Sequence, residues 1–167
     1  KIAGIFSAAA ISAKLSMVVA LPFVVIYLYN NKALRQHMSK FLAGFIVSAL
    51  ILGVPFLFST AGIQMLFGNP EMGKIYRVAL NLGESVSIYI APLSYLLMLY
   101  LAWRVRRLNF DLFQAVTGMS FLLIVLMTPA SPGWFVWSMP FLALYQAMSG
   151  RVAILLIGGF SALYVLS

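Results

Sequence analysis

Few side chains in this 167-residue chain can do chemistry, and most of those are cations. Lys14 stands between two apolar segments with Ser12 and Ser16 beside it. A lone ammonium at such a junction suits a phosphate as a point charge; alternatively, its stem carries the ammonium out to a headgroup layer. Glu71, Lys74 and Arg77 recur three residues apart in IQMLFGNPEMGKIYRVALNLGE (63–84), so on a helix they project to nearly one side. Lys74 or Arg77 there would neutralise an anionic headgroup or the phosphate of a lipid-linked substrate. A surface helix with a weak ion pair is the plainer alternative. In TPASPGWFVW (128–137), Ser131 presents a hydroxyl beside Pro132 and Gly133, and Trp134 and Trp137 follow. Tryptophan faces suit a sugar ring or an isoprenoid chain, or an ordinary interfacial aromatic belt.

The remaining residue types exclude whole reaction classes. With no cysteine there is no thiolate nucleophile and no cysteine metal site, and His37 alone cannot build a three-histidine zinc centre. No phosphate-cradling GxxxxGK[ST], HExxH, GxSxG or CxxC motif occurs. The acids number three, and Glu84 is the nearest to a proton-coupling position at the mouth of a span. A catalytic residue and a set of metal ligands are both missing from view.

The elements that would position these side chains are set by composition. Of the residues 63 % are apolar and 8 % charged, and the mean hydropathy is +1.03. A soluble domain uses roughly a quarter of its residues as charges. The eleven Lys and Arg fall in small clusters between apolar runs rather than in a stripe, which argues against nucleic acid. The expectation is an all-α fold, a polytopic transmembrane helical bundle of six to seven membrane segments forming a single domain over 1–167. Phe41–Gly62, Ser85–Trp103 and Leu112–Thr128 are the clear runs; Leu15–Tyr29, Trp134–Met148 and Val152–Leu166 are shorter or interrupted. The stretch Ile2–Tyr29 reads as two segments meeting at 12–14, and Pro22, Pro55, Pro92 and Pro140 each fall inside a span. The loops 30–40 and 104–111 with Arg151 carry seven Lys and Arg against one Asp, which places them on the cytoplasmic side. The 63–84 connection then lies outside, with Ile75, Tyr76, Ala79, Leu80 and Leu82 forming the apolar face of a short helix on the membrane plane. Both ends look cut, as in a piece of a larger membrane protein.

The stretch GIFSAAAISAKLSMVVALPFVVIYLYNNKALR, with a lysine between apolar segments and a basic turn after a proline, resembles the middle of GT-C superfamily membrane glycosyltransferases. The resemblance extends to FLAGFIVSALILGVPFLF, where a span finishes near a proline before an outer loop, and to SPGWFVWSMPFLALY, which is similar to a segment of the mannosyltransferase and arabinosyltransferase relatives. The resemblance implies transfer of a sugar from a polyprenyl-phosphate carrier to a glycan or lipid acceptor on the outer face. It places Lys14 near the carrier phosphate and 71–77 beside the acceptor groove, with the catalytic acid upstream of Lys1 and any divalent metal in the full-length enzyme. The expected partners are membrane lipid, the polyprenyl-phosphate-linked sugar, the acceptor and a membrane-protein partner. The expected location is a multi-pass position in a cell membrane, the bacterial inner membrane. Lys14, Lys74, Arg77, Ser131 and Trp134 form the expected substrate site. Two other readings compete: a small lipid or solute transporter, and a noncatalytic subunit using a small-residue face with Ala8, Ala9, Gly44, Ala49 and Gly53.

Overall fold

A computed structural model describes the chain except Asn69, Glu84, Ser85, Arg106, Arg107, Pro129, Ala130, Ser131, Ser149 and Ser167; at Glu71, Met72, Pro132 and Val165 only the backbone is described. Two compact units emerge. Unit 1 comprises Lys1–Gly73 and Leu99–Asn109, and unit 2 comprises Lys74–Met98 and Phe110–Ser167.

Unit 1 opens with α1 (Ile2–Ala13), an alanine-rich helix free of proline. It stops at Lys14, whose extended backbone (φ −151°, ψ 108°) leaves the helix while its N–H still donates to Ala10 O. A 3-10 helix, Leu15–Ala20, leads into α2 (Leu21–Asn30). Pro22 sits in the first turn of α2, where its missing N–H has no partner to lose. Asn31 then caps the short α3 (Lys32–Arg35), its side chain accepting from Ala33 N–H at 3.1 Å. The twenty-residue α4 (Met38–Leu57) follows, and Ser59 caps α5 (Thr60–Phe67) by accepting from Gly62 N–H at 2.9 Å.

The main packing in unit 1 is α1 against α4. A Cβ built on Gly4 would collide with the Phe41 carbonyl oxygen, and one on Gly44 would lie 2.6 Å from the Lys1 carbonyl oxygen. Glycine at both places is what lets the two backbones touch. Ala8 is buried at the same seam. Gly44 and Ala8 of the anticipated small-residue face are therefore used within the chain, whereas Gly53 faces open space.

Unit 2 begins at Lys74, within the 3-10 helix Pro70–Tyr76. The antiparallel strands β1 (Ala79–Asn81) and β2 (Ser87–Tyr89) follow, in the register Ala79↔Tyr89, Leu80↔Ile88 and Asn81↔Ser87. Gly83 lies between them at φ +82°, a conformation that costs glycine little. Residues 79–82 are thus strand and turn, correcting the helix expected there. Next come α6 (Ile90–Arg104), whose residues from Leu99 onward belong to unit 1, and then α7 (Phe110–Met127), a 3-10 helix (Pro132–Trp137), α8 (Met139–Met148) and α9 (Arg151–Leu166). The core of unit 2 is the α7 face carrying Thr117, Gly118, Ser120, Phe121, Ile124 and Val125. Phe121 stacks on Phe141 at 5.6 Å, and Gly118 leaves room for the Phe141 ring. The buried Thr117 and Ser120 hydroxyls donate to Phe113 O and Val116 O, satisfying themselves on their own helix.

Among the described residues the fold class is all-α with one two-stranded hairpin, and the expected six to seven membrane segments are not formed. Among the described residues, only α4 and α7 are long and apolar enough to cross a membrane. Proline explains much of the shortfall. Pro22, Pro92 and Pro140 each lie in the first turn of a helix rather than inside one, so they divide the apolar runs that contain them. Within the run Ser85–Trp103, Ser87–Tyr89 form a strand followed by the fifteen-residue α6, and Trp134–Met148 becomes a 3-10 turn followed by ten residues of α8. Pro55 alone remains inside a helix, near the end of α4.

Candidate amphiphile-binding site

The anticipated site residues separate into those the fold brings together and those it does not. In unit 2, the Lys74 ammonium lies 6.0 Å from the centre of the Trp134 ring. That is the outer limit of a cation–π contact. Trp134 in turn stacks on Trp137, with centroids 4.6 Å apart and planes 23° off parallel. The tight 3-10 helix Pro132–Trp137 puts residues three apart on one side, so both indoles face the same way. Lys74 comes from the other 3-10 helix, whose end is closed by Arg77 N–H donating to Lys74 O at 3.1 Å. Tyr76 packs edge-on against Tyr89 at 5.2 Å, tying this turn to β2.

Lys74, Trp134 and Trp137 are each half-buried, while Arg77 is exposed on the same turn as Lys74. The result is a short aromatic slab with a cation over one end. Ser138 follows it with a fully buried hydroxyl that has no hydrogen-bond partner among the described residues. Lys14 belongs to unit 1, where it is exposed at the end of α1. Ser131 lies outside the described residues.

An ammonium beside stacked indoles can hold a phosphate or carboxylate at one end and an apolar chain along the rings. This is recognition chemistry rather than bond-making chemistry. Among the described residues no group of three His, Cys, Asp or Glu side chains is placed to hold a metal ion.

A second polar device was not visible in the sequence. The Asn30 amide, at the end of α2, donates to the carbonyls of Trp103 at 3.2 Å and Val105 at 3.1 Å, with Ala102 O at 3.5 Å. Those carbonyls lie at the end of α6, so Asn30 serves as a cap from a remote segment. The only available signal was the Asn30–Asn31 pair between two apolar runs.

No protein-family model, curated protein or solved structure matches the chain. The resemblance to GT-C glycosyltransferases is overturned by this result together with the two crossing-length helices found where that architecture needs many more. Transfer of a sugar from a polyprenyl-phosphate carrier loses its support in the same way. The multi-pass placement in a bacterial inner membrane rested on the segment count and falls with it. The physical reason is that Leu, Ile, Val, Phe and Ala fill apolar segments of any origin. A proline or lysine between two such segments can coincide with another protein's pattern without shared structure.

Proposed function

We propose that this chain is a lipid-associating helical module: exposed apolar helix faces contact acyl chains, and the Lys74–Trp134–Trp137 cluster holds the phosphate of a headgroup. The observation that carries the reading is the outer face of α4. Ile46, Val47, Leu50 and Ile51 are each more than half exposed, and 6 % of the apolar window of this helix is buried. The chain does bury apolar side chains where it has partners for them, as Phe121 at 1 % exposure demonstrates in unit 2.

Lipid fits the uncovered face by length and energy. Twenty residues at about 1.5 Å each span roughly 30 Å, the thickness of a hydrocarbon core. Covering those four half-exposed side chains contributes about 1 kcal/mol each, or about 4 kcal/mol for one face of one helix. A continuous exposed apolar surface of this kind marks an interaction site, and its flank is cationic at Lys40.

Flotation with neutral phosphatidylcholine vesicles tests the reading. The full chain is expected to rise with the vesicles, and Leu50→Ser with Ile51→Ser to leave a larger fraction behind. A chain that stays folded and remains at the bottom of the gradient refutes it.

A further inference from the structure

We infer that the basic turn 32–40 and Arg104, joined through Asn30, form one docking surface for anionic lipid headgroups. The inference rests on the lipid-associating reading above and adds the charge class of the lipid and the residues that select it.

The charge of unit 1 is one-sided. Residues 1–70 contain no Asp or Glu, nor do 99–109, so Glu71 is the only acid in its sequence. Within nine residues of that unit, Lys32, Arg35, His37 and Lys40 are all exposed. Arg35 is steadied by the Tyr29 ring, with its guanidinium carbon 4.3 Å from the centroid.

Sequence leaves this turn and Arg104 more than sixty residues apart. The Asn30 amide closes that distance. Its bonds to Trp103 O and Val105 O fix the end of α6 beside Asn30, two residues before the basic turn. Arg104, between those two acceptors, is exposed. The cations of both segments thus belong to one surface region, with Asn30 as an uncharged positioning residue.

Apolar continuity selects lipid over other polyanions. Lys40 stands in the first turn of α4, and the exposed face of the same helix begins about 9 Å further along at Ile46. A negative headgroup on the turn would lay its acyl chain along that face. A nucleic acid or an acidic peptide would use the cations and leave the apolar residues uncovered.

Flotation of the full chain with phosphatidylcholine vesicles, and with vesicles containing 30 % phosphatidylglycerol, tests the proposal at 50 and 500 mM salt. Each cation near the surface is worth about fivefold in partitioning onto anionic lipid. K32Q/R35Q/K40Q is therefore expected to lose roughly 100-fold on the anionic vesicles and nothing on neutral ones. R104Q is expected to lose about fivefold. N30A changes no charge, yet it should weaken anionic binding, and R104Q in the N30A background should add little. Helical circular dichroism of each variant separates unfolding from lost binding, and the surface glutamine variants carry the test if N30A unfolds.

Equal partitioning of wild type and triple variant on anionic vesicles overturns the inference while leaving the lipid reading intact. Failure to float with either composition overturns the lipid reading itself. Full displacement by a short polyglutamate peptide, with no dependence on acyl chains, would reassign the cations to an acidic peptide and also overturn the inference.

Discussion

Gly4 and Gly53 form a matched pair whose alanine substitutions should move stability in opposite directions. Both lie inside helices, where replacing glycine by alanine contributes about 0.5–1 kcal/mol through reduced chain entropy. At Gly53 nothing lies within 4 Å of the added methyl, so the gain stands. At Gly4 the methyl meets the carbonyl oxygen of Phe41 and lies 2.7 Å from the Phe45 nitrogen. These are backbone atoms of α4 and cannot rotate away, so α1 and α4 must separate. Overpacking against backbone that cannot yield lies in the upper part of the usual range, about 2–3 kcal/mol, which leaves Gly4→Ala destabilised by about 1–2 kcal/mol after a helix gain of about 1 kcal/mol. For a chain of this length about 1 kcal/mol moves the midpoint by roughly 2–4 °C. Thermal unfolding followed by far-ultraviolet circular dichroism should put Gly4→Ala about 2–8 °C below wild type and Gly53→Ala about 1–4 °C above it. A rise for both variants would refute the close approach of α1 to α4 at Phe41.

The other substitutions separate core from contact surface and test the cation. Phe121→Ala removes a ring that is 1 % exposed and stacked on Phe141, and it should cost about 3–5 kcal/mol in unfolding free energy; less than about 1 kcal/mol would contradict the α7 core. Ile51→Ala, at 68 % exposure, should change unfolding by less than about 0.5 kcal/mol while lowering flotation with neutral vesicles. An equal loss of stability in the two variants would show that Ile51 is covered within the fold. Lys74→Met should weaken binding of a water-soluble short-chain anionic phospholipid about two- to fivefold, read from tryptophan emission, and Lys74→Arg should retain it. Unchanged affinity of the methionine variant would remove Lys74 from the headgroup site.

The helical class and the two crossing-length helices were legible because α4 and α7 each lie on a long apolar run without proline near its middle. The segment count was not legible, because hydropathy averages over a proline that starts a new helix. Pro22, Pro92 and Pro140 read as kinks within spans, and the folded chain uses them as first-turn residues. The hairpin was hidden for a related reason. Ile75, Tyr76, Ala79, Leu80 and Leu82 fit a helical spacing, whereas Gly83 and the pairing of Leu80 with Ile88 decide for strands. Of the anticipated site, Lys74 and Trp134 are brought together although sixty residues separate them, and nothing in either local stretch announces that pairing. The Asn30 clamp escaped notice because one amide bonding backbone carbonyls leaves no periodic signature. The mutual fit of Gly4 and Gly44 likewise depends on which two helices meet.

The most direct test of lipid association uses the absence of native cysteine. A nitroxide on Ile51→Cys, in the full chain bound to phosphatidylcholine vesicles, reports collisions with molecular oxygen and with a water-soluble nickel chelate. A label in contact with acyl chains meets abundant oxygen and little nickel, and that is the expected result at position 51. Frequent nickel collisions would place this face of α4 in water, and low values for both reagents would place it against protein. Either result would contradict the assignment of the exposed α4 face to lipid.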